Sequence, residues 1–318
     1  MKTRLTYLIL IMAILGSCVL FLTYHTYGNL EFALALRFKK IAAFILVGIA
    51  CSFATISFQT LTQNKLLTPN ILGMDSLYVM LQTLSIFLLG SHNFTSLSSL
   101  SNFFLSIGLM MSVSTFLSFS LLKKFKYNLF LFLMIGMILG TLFGNISSFL
   151  QILLDPNEYD HLQSKLFASF SNVKGDHLLV ALILIILLCS FLWWLAPQLD
   201  ILHLGNDYAV NLGINLRFLQ LVSLLTISAL VGISTALVGP TSFLGFIIAT
   251  ISYQVTQTYR HRTVFITGSL IAILLLIFSE FLVEHIFSFN TTLNIIIEFS
   301  GGCYFIGQIL YERNGNKR

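Results

Sequence analysis

Three carboxylates stand inside or at the edge of stretches that are otherwise apolar: Asp75, Glu280 and Glu298. An ionised carboxylate is costly to bury in hydrocarbon, so each must face protein or water. Two kinds of chemistry are open to such groups: hydrogen bonding that holds helices in register, and the passage of protons or ions. No chain of acids and bases runs across several of these stretches, which leaves hydrogen bonding as the simpler role. Gly136, Gly140 and Gly144 recur every four residues. On a helix they share one face, where a neighbouring backbone can come close. That stripe serves either tight helix packing or a helix that slides beside a path. The remaining inventory excludes catalysis. No GxxxxGK[ST] phosphate loop, HExxH or GxSxG is present, so the chain is not expected to hydrolyse ATP or act as an enzyme. Cys18, Cys51, Cys189 and Cys303 stand singly and the histidines are scattered. Neither a metal site, a cofactor nor a disulfide framework is expected.

The elements that carry these residues must sit in lipid. Of the 318 residues, 57% are hydrophobic and 9% charged, and the mean hydropathy is +0.90. Soluble domains carry roughly 25% charged residues, so a water-facing surface cannot be built from this composition. The apolar runs recur from end to end, and residues 1–318 read as a single integral membrane domain. The net charge of +5 is topological and not a sign of nucleic acid. The first apolar run is nearly of membrane length, and Leu22-Thr23-Tyr24 is a poor cleavage site, so it reads as a retained helix and not a removed signal.

Only helices or a closed barrel satisfy the backbone in hydrocarbon. The runs do not alternate polar and apolar residues; 181–188 is continuously apolar. The prediction is therefore an all-α polytopic protein. It has about ten spans, at 5–24, 41–61, 70–89, 101–122, 127–149, 177–196, 218–238, 243–258, 263–283 and 291–310. With both termini in the cytoplasm, Lys2, Arg4, Lys65, Lys123, Lys124, Lys126, Arg217, Arg260, Arg262, Arg313, Lys317 and Arg318 fall inside, as the positive-inside rule asks. Arg37-Phe38-Lys39-Lys40 is a basic cluster left outside. The outer loop 150–176 is expected to hold a short surface helix. The inner segment 199–217 is too polar to span; Asp207 can cap a short helix that Gly213 ends.

Four ordered motifs carry a resemblance. Arg37-Phe38-Lys39-Lys40, the stretch from Gln59 to Ser76 with Pro69 and Gly73, the stretch from Leu204 to Asn215, and Gly239-Pro240-Thr241-Ser242-Phe243-Leu244-Gly245 stand in order. Together they resemble the FecCD-type permeases of ferric-siderophore and cobalamin importers over nearly the whole chain. Residues 68–78 and 290–302 are similar to the catecholate branch, typified by petrobactin and anguibactin importers. Lys39 stands where the family has proline, and Ala249-Thr250 where many members have Pro-His. The resemblance implies a cell-membrane permease that pairs with a second permease subunit. Cytoplasmic ATPase subunits and an external siderophore-binding lipoprotein complete the importer, and a ferric siderophore is its substrate. It implies that Leu204, Gly205, Asp207, Ala209, Leu212, Gly213 and Ile214 couple to the ATPase, with Leu204, Leu212 and Ile214 filling its groove. It implies that Arg37 and Lys40 dock the binding protein, and that the matching basic residue before the last helix is replaced by Glu284-His285. Pro69, Gly73, Asp75, Gly239, Pro240, Gly245 and Glu298 are the residues expected to line or gate the path. A cobalamin or haem permease, and an ATP-independent carrier, stay open as alternatives.

Overall fold

The structure, a computed structural model, describes residues 2–24, 30–96, 99–124, 129–166, 170, 173–288 and 291–315. Lys126, Asn290, Lys317 and Arg318 lie outside them. The order is α1 (Lys2–Thr23), α2 (Leu30–Thr62), a 3-10 turn (Pro69–Leu72), α3 (Met74–Ser96), α4 (Ser99–Lys124) and α5 (Leu129–Ile152). It continues through α6 (Pro156–Leu166), α7 (Gly175–Leu202), α8 (Asn206–Asn211), α9 (Leu216–Val238) and α10 (Leu244–Thr256). It ends with α11 (His261–Phe281), a π-turn (Leu282–Ile286) and α12 (Leu293–Gly315). No strand occurs among the described residues. Among the described residues, six helices are long and apolar enough to cross a membrane, and α3, α4, α10 and α12 carry shorter apolar stretches. These helices occupy the ten expected runs.

Lipid acts as the solvent for the outer helices. Leu8, Met12, Val19, Ile183 and Leu187 are all exposed, which in water would make a large sticky surface. The centre is α2 and α9, each with 78% of its apolar window buried, against 6% for α1. Small residues let α2 meet α11 closely. A Cβ on Gly48 would come 3.1 Å from the Cβ of Ala272, and one on Gly268 would collide with Ser52. Phe53 and Phe265 stack at 4.2 Å just beyond the second of these contacts. Close approach of backbones, and not hydrophobic exclusion, drives helix association in lipid.

The glycine stripe on α5 seats a turn. A Cβ on Gly136 would lie 3.1 Å from Leu72 Cα, and one on Gly140 would lie 2.8 Å from Gly73 Cα. Gly144 meets only Ser76 Oγ, at an ordinary 3.9 Å. The backbone that approaches α5 so closely therefore belongs to the connection between α2 and α3. Gly73 adopts φ +77°, a left-handed conformation that glycine takes without penalty.

Alternating spans gather the chain into two faces. The start of α2, the end of α11 and the end of α1 meet at one, called distal here. The ends of α2 and α7 and the starts of α9 and α11 meet at the other, together with the start of α1, whose Tyr7 hydroxyl donates to Thr263 O. This second face is called N-terminal. On the distal side α6 lies against α3, Leu162 packing on Ile86, just before α3 kinks at Gly90 (φ 74°, ψ 153°).

Candidate functional site

Two irregular stretches of backbone meet inside the bundle. The turn Pro69–Leu72 climbs back beside Cys51, Ala54 and Thr55, about 10–16 Å from the end of α2 at 1.5 Å per residue. The connection Gly239–Phe243 descends to the same level from the end of α9. Asn70 donates to Ser242 O at 3.3 Å, Ser242 Oγ donates to Asp75 Oδ2 at 2.8 Å, and Asn294 donates to Pro240 O at 2.6 Å. Non-helical backbone at such depth is tolerated where protein satisfies it, and these side chains supply the bonds. Gly239 (φ 105°) turns the chain into this junction. Gly245 lets α10 press on Thr55, with which any Cβ would collide.

Pro69, Gly73, Asp75, Gly239, Pro240 and Gly245, drawn from two remote parts of the sequence, thus come together at one junction. Glu298 is exposed on α12, one turn beyond Asn294, and lies within electrostatic reach of Asp75. Asp75 is fully engaged at Oδ2 but has no partner at Oδ1 among the described residues. The junction encloses about 10 Å³, room for about one water. It is closed as it stands.

At the N-terminal face the segment between α7 and α9 forms a compact hook. Gly205 turns with φ 118°. At the other end Gly213 N–H donates to Val210 O at 2.9 Å and Ile214 N–H to Ala209 O at 3.0 Å. These two bonds, with Gly213 at φ 83°, are a Schellman stop. Asp207 is not the cap: α8 begins one residue earlier and its N-cap position is Gly205, without a side-chain bond. Asp207 lies in the first turn, where a carboxylate suits the helix dipole. Leu204 and Leu212 are exposed, but Ala209 is buried and Ile214 packs on the protein's own core. Ile214 is half-buried and also lines an open cleft with Asn206, Val210 and Arg217. Tyr208 and Val210, which the sequence reading passed over, complete the outward apolar set with Leu204 and Leu212.

The cations at the distal face are also placed differently from expectation. Arg37 is buried, donating to Leu22 O (3.2 Å), Tyr24 O (2.9 Å) and Glu284 Oε1 (2.7 Å). Lys40 donates to Glu280 Oε1 (2.8 Å) and Glu284 Oε2 (3.5 Å). Neither is presented at the rim as a free docking charge; Lys39 is the exposed member of the cluster. The replacement of a basic residue by Glu284 now has a reason, since Glu284 is the counter-ion of both cations. Two acids four apart at the end of α11 matched by two cations three apart on α2 was the available signal.

A second polar cluster ties the N-terminal face together. His261, buried at the start of α11, approaches Asp200 Oδ1 through Nδ1 at 2.6 Å and through its backbone N–H, also at 2.6 Å. Its Nε2 lies 2.7 Å from Thr60 Oγ1 on α2. His203 lies against the rings of Tyr259 and His261. Partial burial, and then the nearby His261 and Lys65, hold the His203 imidazole below its usual pKa. A cleft of about 250 Å³ opens here, lined by Gln59, Gln63, Lys65, His203 and Tyr253 among others. No cluster suited to a metal ion occurs among the described residues.

Residues 2–311 match the family model described as the FecCD transport family. The chain is 42% identical to the petrobactin import system permease protein YclO of Bacillus subtilis, over 93% of this chain and 94% of that one. It is 34% identical to the petrobactin import system permease protein FatC of Bacillus anthracis, over 87% and 78%. Its fold matches a solved metal-chelate type ABC transporter in an inward-facing conformation. The TM-score is 0.84 at 21% identity, covering 97% of this chain and 99% of that one.

Proposed function

The chain belongs to the FecCD transport family, and from that premise we propose that it is the membrane-spanning permease subunit of an ATP-binding-cassette importer for ferric siderophores. One observation carries this reading: near end-to-end similarity to two petrobactin permeases in a chain with no ATP-binding loop of its own. Ferric petrobactin is accordingly the first substrate to test.

The geometry supports a division of labour. Leu204, Tyr208, Val210 and Leu212 offer an apolar surface to a cytoplasmic ATPase dimer, with Gly205 and Gly213 fixing the hook. The N-terminal face is then cytoplasmic, as are both termini. The external binding protein docks on the distal face, where Lys39 is exposed and Arg37 and Lys40 act from within, holding the shape of that surface. Substrate passes between this chain and a second permease subunit, because the internal junction has room for little more than a water. Glu298, exposed on an apolar helix, faces that shared path. The Asp75 junction sets how far the turn Pro69–Leu72 and α10 can part. The chain itself carries no ATPase or other enzymatic site.

The test is reconstitution in vesicles with an ATPase, a second permease and a siderophore-binding protein of the same importer. Uptake of iron-55 petrobactin that requires ATP and every partner is expected. Uptake by this chain alone, driven by a proton gradient, would overturn the reading in favour of a secondary carrier.

A further inference from the structure

We infer that Asp200, His261 and Thr60 are positioning residues for the coupling step, holding the root of the ATPase-facing hook to α2 and α11 so that the three move together. The inference rests on the importer reading above. Asp200 lies in the last turn of α7, where the chain leaves for the hook. Its carboxylate can only accept, so the His261 Nδ1–H and backbone N–H both donate to Oδ1. The first amides of a helix have no partner within it, and Arg260 at the N-cap of α11 makes no side-chain cap bond. Asp200 therefore caps α11 from a different helix. The far side of the same imidazole shares a hydrogen bond with Thr60, whose hydroxyl also lies 3.0 Å from Ile56 O within α2. A parallel tie runs from Gln63, the residue just after α2, whose Nε2 donates to Leu202 O and to Asn206 Oδ1, both at 3.4 Å. The root of the hook is thus fastened to the end of α2 on two sides, while its apolar face stays open.

Packing alone already joins α2 to α11, through Gly48, Gly268 and the Phe53–Phe265 stack. The polar tie adds direction. A bond to a carboxylate is stronger and more directional than a neutral one, so it fixes the register of α7 against α11 where apolar contacts would let them slide. Push on the hook then reaches α2 and α11 as displacement and is not lost as slippage at the root.

The experiment measures iron-55 petrobactin uptake and ATP hydrolysis in the same vesicles, with the complete importer. Asp200→Leu, Thr60→Val and His261→Ala are expected to hydrolyse ATP within about twofold of the parent while uptake per ATP falls about fivefold or more, the scale at which single residues alter coupling. Thr60→Ser, which keeps the hydroxyl, should retain the parental ratio. Should His261→Ala fail to assemble, the two near-isosteric variants carry the test. A parental ratio in Asp200→Leu and Thr60→Val, including a parallel fall of uptake and hydrolysis, overturns the positioning role. Absence of ATP-driven uptake in the parent would instead overturn the importer reading on which the role depends.

Discussion

Glu284 is shared by two cations at a surface where nearly all of its charge is out of water. Its side chain is 15% exposed, and those of Arg37 and Lys40 are 6% and 11% exposed. Removing one partner of a buried pair strands the other charge, at a cost of about 3–5 kcal/mol. Here Arg37 keeps the carbonyls of Leu22 and Tyr24, and Lys40 keeps Glu280, so Glu284→Ala is expected to cost about 3 kcal/mol. Combining Arg37→Met with Glu284→Leu removes one ion of each sign and should cost far less, because the ions that stay, Lys40 and Glu280, still pair with each other at 2.8 Å. Thermal unfolding of the purified permease in detergent compares the two. A single variant that melts with the parent would mean that water reaches this cluster and solvates it. Lys39→Glu, by contrast, changes an exposed charge next to it. It should leave the melting temperature unmoved and slow association with the binding protein, most visibly at low salt.

At the level of elements, two glycine positions separate conformational need from space. Gly213 has open room around it but φ +83°. A β-branched residue there pays the left-handed penalty of about 1–2 kcal/mol and loosens the stop that sets the hook's far end. Gly213→Val is therefore expected to lower uptake more than it lowers protein yield, read as iron transported per mole of assembled complex. On α5 the reverse applies, since Gly140 is helical but has no space. Gly140→Ala drives a methyl into Gly73 and should shift the melting temperature by several degrees, whereas Gly144→Ala meets only a hydroxyl at contact distance and should be nearly neutral. Equal effects of the two alanines would mean that α5 packs on something other than the turn. These cases also mark what could be read beforehand. The ten apolar runs declared themselves because each is long enough for composition to speak, and the hook did so because glycines and polar residues interrupt them. The facing of residues within α8 was not legible: six residues, Asn206–Asn211, make fewer than two turns, too few for a periodic signal. Nor could the glycine stripe name its partner. A neighbouring helix and a distant turn demand the same small residues.

Across the whole molecule, α2 and α11 form one transverse beam fastened at both ends. Arg37 and Lys40 hold Glu280 and Glu284 at the distal face, pairs separated by up to 247 positions in sequence. Such separation is why the clamp escaped a reading by local motif. Thr60 and His261 close the N-terminal end. Between the clamps run close contacts of small residues, the Phe53–Phe265 stack and a buried hydrogen bond from Ser52 Oγ to Phe265 O at 3.3 Å. On the importer reading, a beam of this kind would carry movement from the hook to the distal face without bending, while α5, α12 and the closed Asp75 junction would supply the parts that shift against it. This predicts that a covalent link inside the beam is harmless. Gly48→Cys with Ala272→Cys, in a background where Cys18, Cys51, Cys189 and Cys303 are replaced by alanine, would place the new Cβ at position 48 about 3.1 Å from that of residue 272. That is a little closer than the usual 3.5–4.5 Å of a disulfide, so a slight parting of the helices accommodates it. Oxidation, followed by a gel shift after thiol labelling, is expected to leave ATP-driven uptake within about twofold of the reduced protein, well short of the tenfold that 1.4 kcal/mol would produce. Loss of uptake that returns on reduction would mean that α2 and α11 must move against each other during transport, and the beam would have to be abandoned.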